Sequence, residues 1–272
     1  MRRFACLPPL LIAALSLVGG SVVGVAFAPS AHASPHPLPF SYSTSTNPKG
    51  TVELEQHVDF VPLRVEREGE TGTDAVTSAR FNLQTEVEYG ITDKLEFAWY
   101  FFAQQGAGAT LQPLEFKGVK QRVRARFLSP AEYPIGVGGY VEVAELNSEI
   151  EIEEKLLLDF QRAGWIGIAN LWVEQEYYFQ DAAWKFIYNP TLGGAYELSP
   201  NFSLGLEYWM RGHFESPAPD PVHYLGPTFL TKTDRAWFST AVYTRIDGLD
   251  HAVAPGDPWG RLWWRVMMGI DL

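Results

Sequence analysis

Across residues 149–153 glutamate and isoleucine alternate strictly, as Glu149-Ile150-Glu151-Ile152-Glu153. A two-residue period sorts charge from grease only on the two faces of a β-strand. Weaker versions of the pattern recur about twelve times from residue 51 onward, each bounded by turn residues. They predict strands over 51–61, 80–89, 95–104, 116–128, 135–146, 149–160, 165–178, 184–198, 202–211, 222–230, 236–246 and 259–272. In the first, Val52, Leu54, Val58 and Phe60 share one face, and Glu53, Glu55, His57 and Asp59 share the other. The fourth sets Arg122, Arg124 and Arg126 against Val123, Ala125 and Phe127.

The connections alternate in kind. Those after strands two, four, six, eight and ten are tight and carry Gly, Pro, Asn or Asp; those after one, three, nine and eleven are longer and more polar. The connections after five and seven are short as well. Such asymmetry is the rule for bacterial outer-membrane barrels, with short periplasmic turns and longer outer loops. Strands of this length suit a tilted membrane crossing of about 9–11 residues. The expected fold is therefore all-β: a single antiparallel up-and-down transmembrane β-barrel of twelve strands, with both termini periplasmic. Outward aromatics near strand ends, Phe60, Tyr89, Phe127, Phe160, Trp165, Tyr177, Trp184, Tyr196 and Phe202, are placed as interfacial girdles.

Residues 1–33 read as a secretory signal: Arg2 and Arg3, an apolar stretch from Leu10 to Ala28, then Ala31-His32-Ala33 as a cleavage site. Residues 34–50, rich in Pro and Ser, read as an extended lead-in, and 51–272 as the barrel. The single cysteine, Cys6, falls in the signal, so the processed chain has neither disulfides nor thiolate ligands. Losing Arg2 and Arg3 from 21 basic residues leaves 19 against 32 acidic ones, a net charge of −13. That balance argues against nucleic acid as a partner. A mean hydropathy of −0.09 is too polar for helical spans and suits a barrel, in which half of each strand faces water.

Several stretches resemble an uncharacterised family of bacterial outer-membrane barrels known only as a domain of unknown function. They are Lys49-Gly50-Thr51-Val52-Glu53-Leu54-Glu55, Glu88-Tyr89-Gly90-Ile91-Thr92-Asp93-Lys94-Leu95-Glu96 and Arg126-Phe127-Leu128-Ser129-Pro130, with Leu204-Gly205-Leu206-Glu207, Leu225-Gly226-Pro227 and Leu249-Asp250-His251 further along. More distantly, the turn from Tyr89 to Glu96 is similar to barrels named for a meta-pathway of phenol degradation. Both resemblances imply fold and compartment and carry over no site residue. The final residues, Arg265 to Leu272, resemble the C-terminal signal read by the barrel-assembly machinery, with Leu in place of the usual Phe. The expected partners are that machinery, outer-membrane lipid and a small solute.

If the apolar faces meet lipid, the polar faces line a lumen. Counting outward from the turns sets Glu142 opposite Glu153, Glu151 near Glu174 and Glu149 near Glu176, an acidic wall of six carboxylates. Facing it, Arg122 falls opposite Glu142, Arg124 beside Tyr140 and Arg126 one step on, a basic ladder. Like charges in register are destabilising, so the wall needs cations. It reads as a self-neutralising network, as the lining of a cation-attracting pore or as a Ca²⁺ site made from Glu oxygens. His36, His57, His213, His223 and His251, and the loop acids Asp247, Asp250 and Asp257, follow no metal-motif spacing, so neither metal nor cofactor is implied. An enzymatic role is disfavoured: the only His-x-Ser is His32-Ala33-Ser34, at the cleavage site. The expected function is a narrow channel or facilitator for a small solute; the alternative is a structural barrel closed by its own salt bridges.

Overall fold

A computed structural model describes residues 34–69 and 72–272; the expected export signal lies outside them. Thirteen strands follow in order: β1 (Val52–Gly69), β2 (Gly72–Thr92), β3 (Leu95–Gln105), β4 (Leu114–Leu128), β5 (Gly136–Leu146), β6 (Glu149–Arg162), β7 (Trp165–Tyr178), β8 (Ala183–Tyr188), β9 (Thr191–Ser199), β10 (Phe202–His213), β11 (Val222–Lys232), β12 (Ala236–Arg245) and β13 (Leu262–Asp271). Each pairs antiparallel with its neighbours, and β13 returns to β1 through Glu53↔Asp271 to Phe60↔Trp264, closing the barrel.

β8 and β9 both lie between β7 and β10. They are two halves of one stave, so the closed wall has twelve. Pro190 explains the split of the expected strand 184–198: it has no N–H to give to a ladder. Asn189 still donates to the Trp172 carbonyl at 2.9 Å, and pairing resumes at Thr191.

The wall is inside out compared with a soluble sandwich. Glu53, Glu55, Glu86, Glu88, Arg122 and Glu207 are wholly buried, while Trp99, Phe101, Leu171 and Leu192 are at least half exposed. A water-soluble fold would expose the charges and hide the rings; a continuous apolar outer belt needs lipid. The expected girdle residues all point outward, and Trp165–Tyr196 and Tyr177–Trp184 pack at 4.9 and 5.1 Å.

One expected loop is not a loop. β1 and β2 stay paired from Val61↔Arg80 to Gly69↔Gly72, well past the ends expected at residues 61 and 80. The alternation simply continues through Leu63-Arg64-Val65-Glu66. Eight further pairs, Pro62↔Ala79 to Gly69↔Gly72, carry this hairpin about 26 Å past those ends. The long β12–β13 connection leans on its base, with Gly256 N–H on the Arg64 carbonyl at 2.9 Å.

Candidate functional site

The segment expected to be a lead-in occupies the lumen. Residues 34–47 enter and leave at the rim of the tight turns: Ser34 Oγ donates to Asn47 Oδ1 at 3.1 Å, closing the neck, and Ser34 N donates to Glu53 at 3.0 Å. At the tip the chain turns over Leu38–Ser41. There Phe40 N–H and Ser41 Oγ donate to Glu207 at 3.1 and 2.6 Å, and Tyr243 donates to the same carboxylate. On the return leg the Asn170 amide binds both the N–H and the C=O of Tyr42, each at 2.8 Å. Thr44 reaches Asp159 at 2.7 Å, and Asn47 binds Glu96 and Glu88 at 2.7 and 2.8 Å. Pro35, Pro37 and Pro39 keep the entering leg from joining a sheet. Its uncharged hydroxyl, amide and backbone donors suit a lumen crowded with carboxylates.

Phe40 also anchors the loop by packing. Its ring sits 4.7 Å from Trp209, 5.1 Å from Tyr243 and 5.8 Å from Trp263, with the Arg265 guanidinium 3.7 Å from its centroid. Arg265 is held in turn by Asp59 at 2.6 and 2.8 Å. The inward aromatics Trp209, Tyr224, Tyr243 and Trp263, on β10 to β13, form the apolar wall of the lumen. Counting aromatics along the sequence sends such rings to lipid; only the strand register shows which ones turn inward.

Two charge compartments share the rest of the lumen. In the one nearer the turns, Glu53, Glu55, Glu86, Glu88 and Glu96 surround Arg122 and Arg124. Here the structure corrects the expected ladder. Arg122 is opposite Glu142, and Arg124 opposite Tyr140, in backbone register. Their guanidinium groups nonetheless turn the other way, Arg122 onto Glu86 at 3.0 Å, Glu96 at 2.5 Å and Glu88, and Arg124 onto Glu96 at 2.9 Å. Arg126, at the rim of the turns, donates to the Asp93 carbonyl at 2.5 Å. Three carboxylates from β2 and β3 outcompete one on β5, which has a nearer cation in Lys120.

The acidic wall forms the other compartment, with one change of register. Glu142 faces Glu153 as expected, but Glu151 pairs with Glu176, Glu153 with Glu174, and Glu149 with Tyr178. The β6–β7 hairpin turns on Ala163-Gly164, at φ 53 and 82, one residue later than the centre of the expected turn. Positive φ at both positions fits a two-residue hairpin. The wall's buried or half-buried cations are Lys120, Lys155 and Arg211, with the exposed Lys185 opposite Glu176 at the rim; none of them stood out in the sequence. Lys120 lies 3.0, 3.6 and 3.8 Å from Glu142, Glu151 and Glu153. Arg211 binds Glu174 and Glu176 at 2.8 and 2.5 Å. Lys155 pairs with Glu153 at 2.9 Å and sits against the rings of Trp172, Tyr140 and the inserted Tyr42, at 3.7, 3.9 and 4.8 Å. Glu151, Glu174 and Glu176 bring oxygen atoms within 4.8 Å of one another.

Above the acidic wall a cavity of about 920 Å³ opens among the longer loops, lined in part by Glu176, Tyr178, Lys185, Arg211, Asp220 and Trp259. Of the rim groups noted in the sequence, Asp247 and Asp257 are held by Arg245 at 2.6 and 2.7 Å, while the His251 ring meets Asp250 and its carbonyl accepts from Arg261 at 2.7 Å. Partial burial alone would raise the Asp247 carboxyl. The His223 N–H and then Arg245 outweigh that and hold it below its ordinary value. A depressed carboxyl stabilises the loop above its unfolded pKa and loses that contribution as pH falls through the lowered value. Limited proteolysis between residues 247 and 258 is therefore expected to accelerate below about pH 4; a rate flat from neutral pH down to pH 3 would contradict it.

The profile described as "Family of unknown function (DUF6662)" matches residues 30–151. Three of the motifs that carried the sequence resemblance, at 49–55, 88–96 and 126–130, fall inside this range. Among solved structures, the COG4313 outer membrane channel from Pseudomonas putida F1 superposes with a TM-score of 0.60 at 12% identity, covering 84% of this chain and 98% of that one. The NanC porin superposes with a TM-score of 0.53 at 6% identity, over 81% of this chain and 100% of that one. No curated protein matches. The fold is thus that of outer-membrane β-barrels, and its first half matches a family of unknown function.

Proposed function

We propose that this chain is an exported outer-membrane barrel that acts as a narrow channel or facilitator for a small solute, kept shut by its own residues 34–47. The observation carrying this reading is the seat of that loop. It touches the lumen faces of β1, β2, β3, β6, β7, β9, β10 and β13 through hydrogen bonds, yet it joins no strand ladder. It can leave without opening the wall. Eight staves make a barrel filled by its side chains, and sixteen or more leave an aqueous pore. Twelve lie between, with room for one inserted loop.

The solute path runs from the outer cavity down the acidic wall. Six carboxylates there meet Lys120, Lys155, Arg211 and, at the rim, Lys185, a surplus that favours cations over anions. Replacing Glu149, Glu151 and Glu174 together by Gln is expected to move the cation-to-anion permeability ratio of the open barrel toward one in planar-bilayer recordings. An unchanged ratio would remove the wall from the path. The second reading, a structural barrel without transport, is favoured by the pairing of Arg122 and Arg124 within the lumen. It predicts an electrically silent membrane even with the loop displaced.

A further inference from the structure

We propose that Glu55, His57 and Glu86, approached by His36 of the inserted loop, form a buried site for one divalent transition-metal ion of the zinc class, which fastens the loop to the barrel wall. The site stands whether or not the barrel conducts.

Sheet geometry brings the three wall residues together. Glu55 and His57 are two apart on β1 and share its inner face; Glu86 on β2 is the register partner of Glu55. One ligand atom from each lies within 4.8 Å of the others. His57 Nε2 is 2.8 Å from Glu55 Oε2 and 3.5 Å from Glu86 Oε2. Ligand atoms bound to zinc at about 2.0–2.2 Å in a tetrahedron sit about 3.4 Å apart. The His57–Glu86 separation is too long for a good hydrogen bond and close to such an edge.

A second observation comes from a different segment. His36 is 4% exposed, and its Nε2 makes no hydrogen bond while lying 3.5 Å from the other oxygen of Glu55. Both oxygens of the fully buried Glu86 also lack hydrogen bonds. Arg122 lies 3.0 Å from Glu86 Oε1, which leaves Oε2, on the His57 side, for an ion. Around this point Glu53, Glu55, Glu86, Glu88 and Glu96 outnumber Arg122 and Arg124, all sealed from water. Uncompensated charge in such a place is costly, and a divalent cation offsets most of the surplus. Two imidazoles among the donors select a transition metal; calcium and magnesium prefer oxygen-only shells of six or more ligands.

The test uses the processed full-length barrel folded with one equivalent of Co²⁺ or Zn²⁺, desalted and assayed for retained metal. One equivalent retained, with the visible d–d bands of a nitrogen- and oxygen-ligated Co²⁺, is expected. His57→Gln and Glu86→Gln should each weaken retention by at least about tenfold, as ligand-shell losses do. His36→Ala alters no strand, and it should speed release to a chelator by about tenfold while the barrel stays folded. No retained metal in the parent, or equal retention in all three variants, would overturn the proposal and leave protonation to balance the carboxylates.

Discussion

Deleting residues 35–46 should leave a folded barrel that shows sustained open-channel steps where the full-length chain opens only intermittently. The loop takes part in no ladder, so the wall closed by β13 and β1 does not depend on it. Its removal strips donors from Glu207 and Asp159, but water entering the emptied lumen can replace neutral donors. Its apolar anchors are the larger loss. Leu38 and Phe40 are buried, and at about 1.5–3 kcal/mol each they account for about 3–6 kcal/mol of stability. The deletion should therefore both conduct and unfold more readily. Planar-bilayer recording of the two proteins checks the first effect and denaturant titration the second. A silent deletion variant that is still folded would favour the structural reading.

Arg122→Ala is expected to be the most damaging single change, at about 3–5 kcal/mol, because it leaves buried carboxylates without their charge partner. Arg122 serves Glu86, Glu88 and Glu96 at once and is itself wholly buried. Replacing charges on both sides should recover much of the loss, since an apolar substitute for a buried ionic cluster is often neutral. Arg122→Met combined with Glu88→Gln and Glu96→Gln should accordingly unfold closer to the parent than Arg122→Ala does. A cost below about 1 kcal/mol for Arg122→Ala, typical of a solvated pair, would mean that water reaches the cluster.

The wall was legible in the sequence because a membrane barrel writes its two faces in alternate residues. Glu149 to Glu153 and Val52 to Phe60 show which side each residue takes without any partner being known. Register was less legible: Glu151 lies against Glu176 rather than Glu174 because one residue of turn length moves every pair on a hairpin. Side-chain direction was less legible still. Arg122 sits opposite Glu142 and ignores it, since a long guanidinium chooses among carboxylates on several strands that no local pattern brings together. The inserted loop left the faintest trace. Its sign was composition: Leu38, Phe40 and Tyr42 interleaved with Pro, Ser and Thr, with no charge to hold the segment in water. Periodicity says nothing about a segment that folds onto side chains instead of a neighbouring strand, and the meeting of His36 with Glu55 follows from that insertion alone.

The most direct test of a loop-closed lumen is a reversible lock. Ser41 Oγ lies 2.8 Å from Thr191 Oγ1 on β9, and the only native cysteine, Cys6, falls in the expected signal. Recording the processed Ser41→Cys/Thr191→Cys barrel in a planar bilayer before and after reduction isolates the loop's movement from every other variable. The account predicts no openings while the pair is oxidised and intermittent openings once it is reduced. Equal current in the two states, or silence in both, would contradict it.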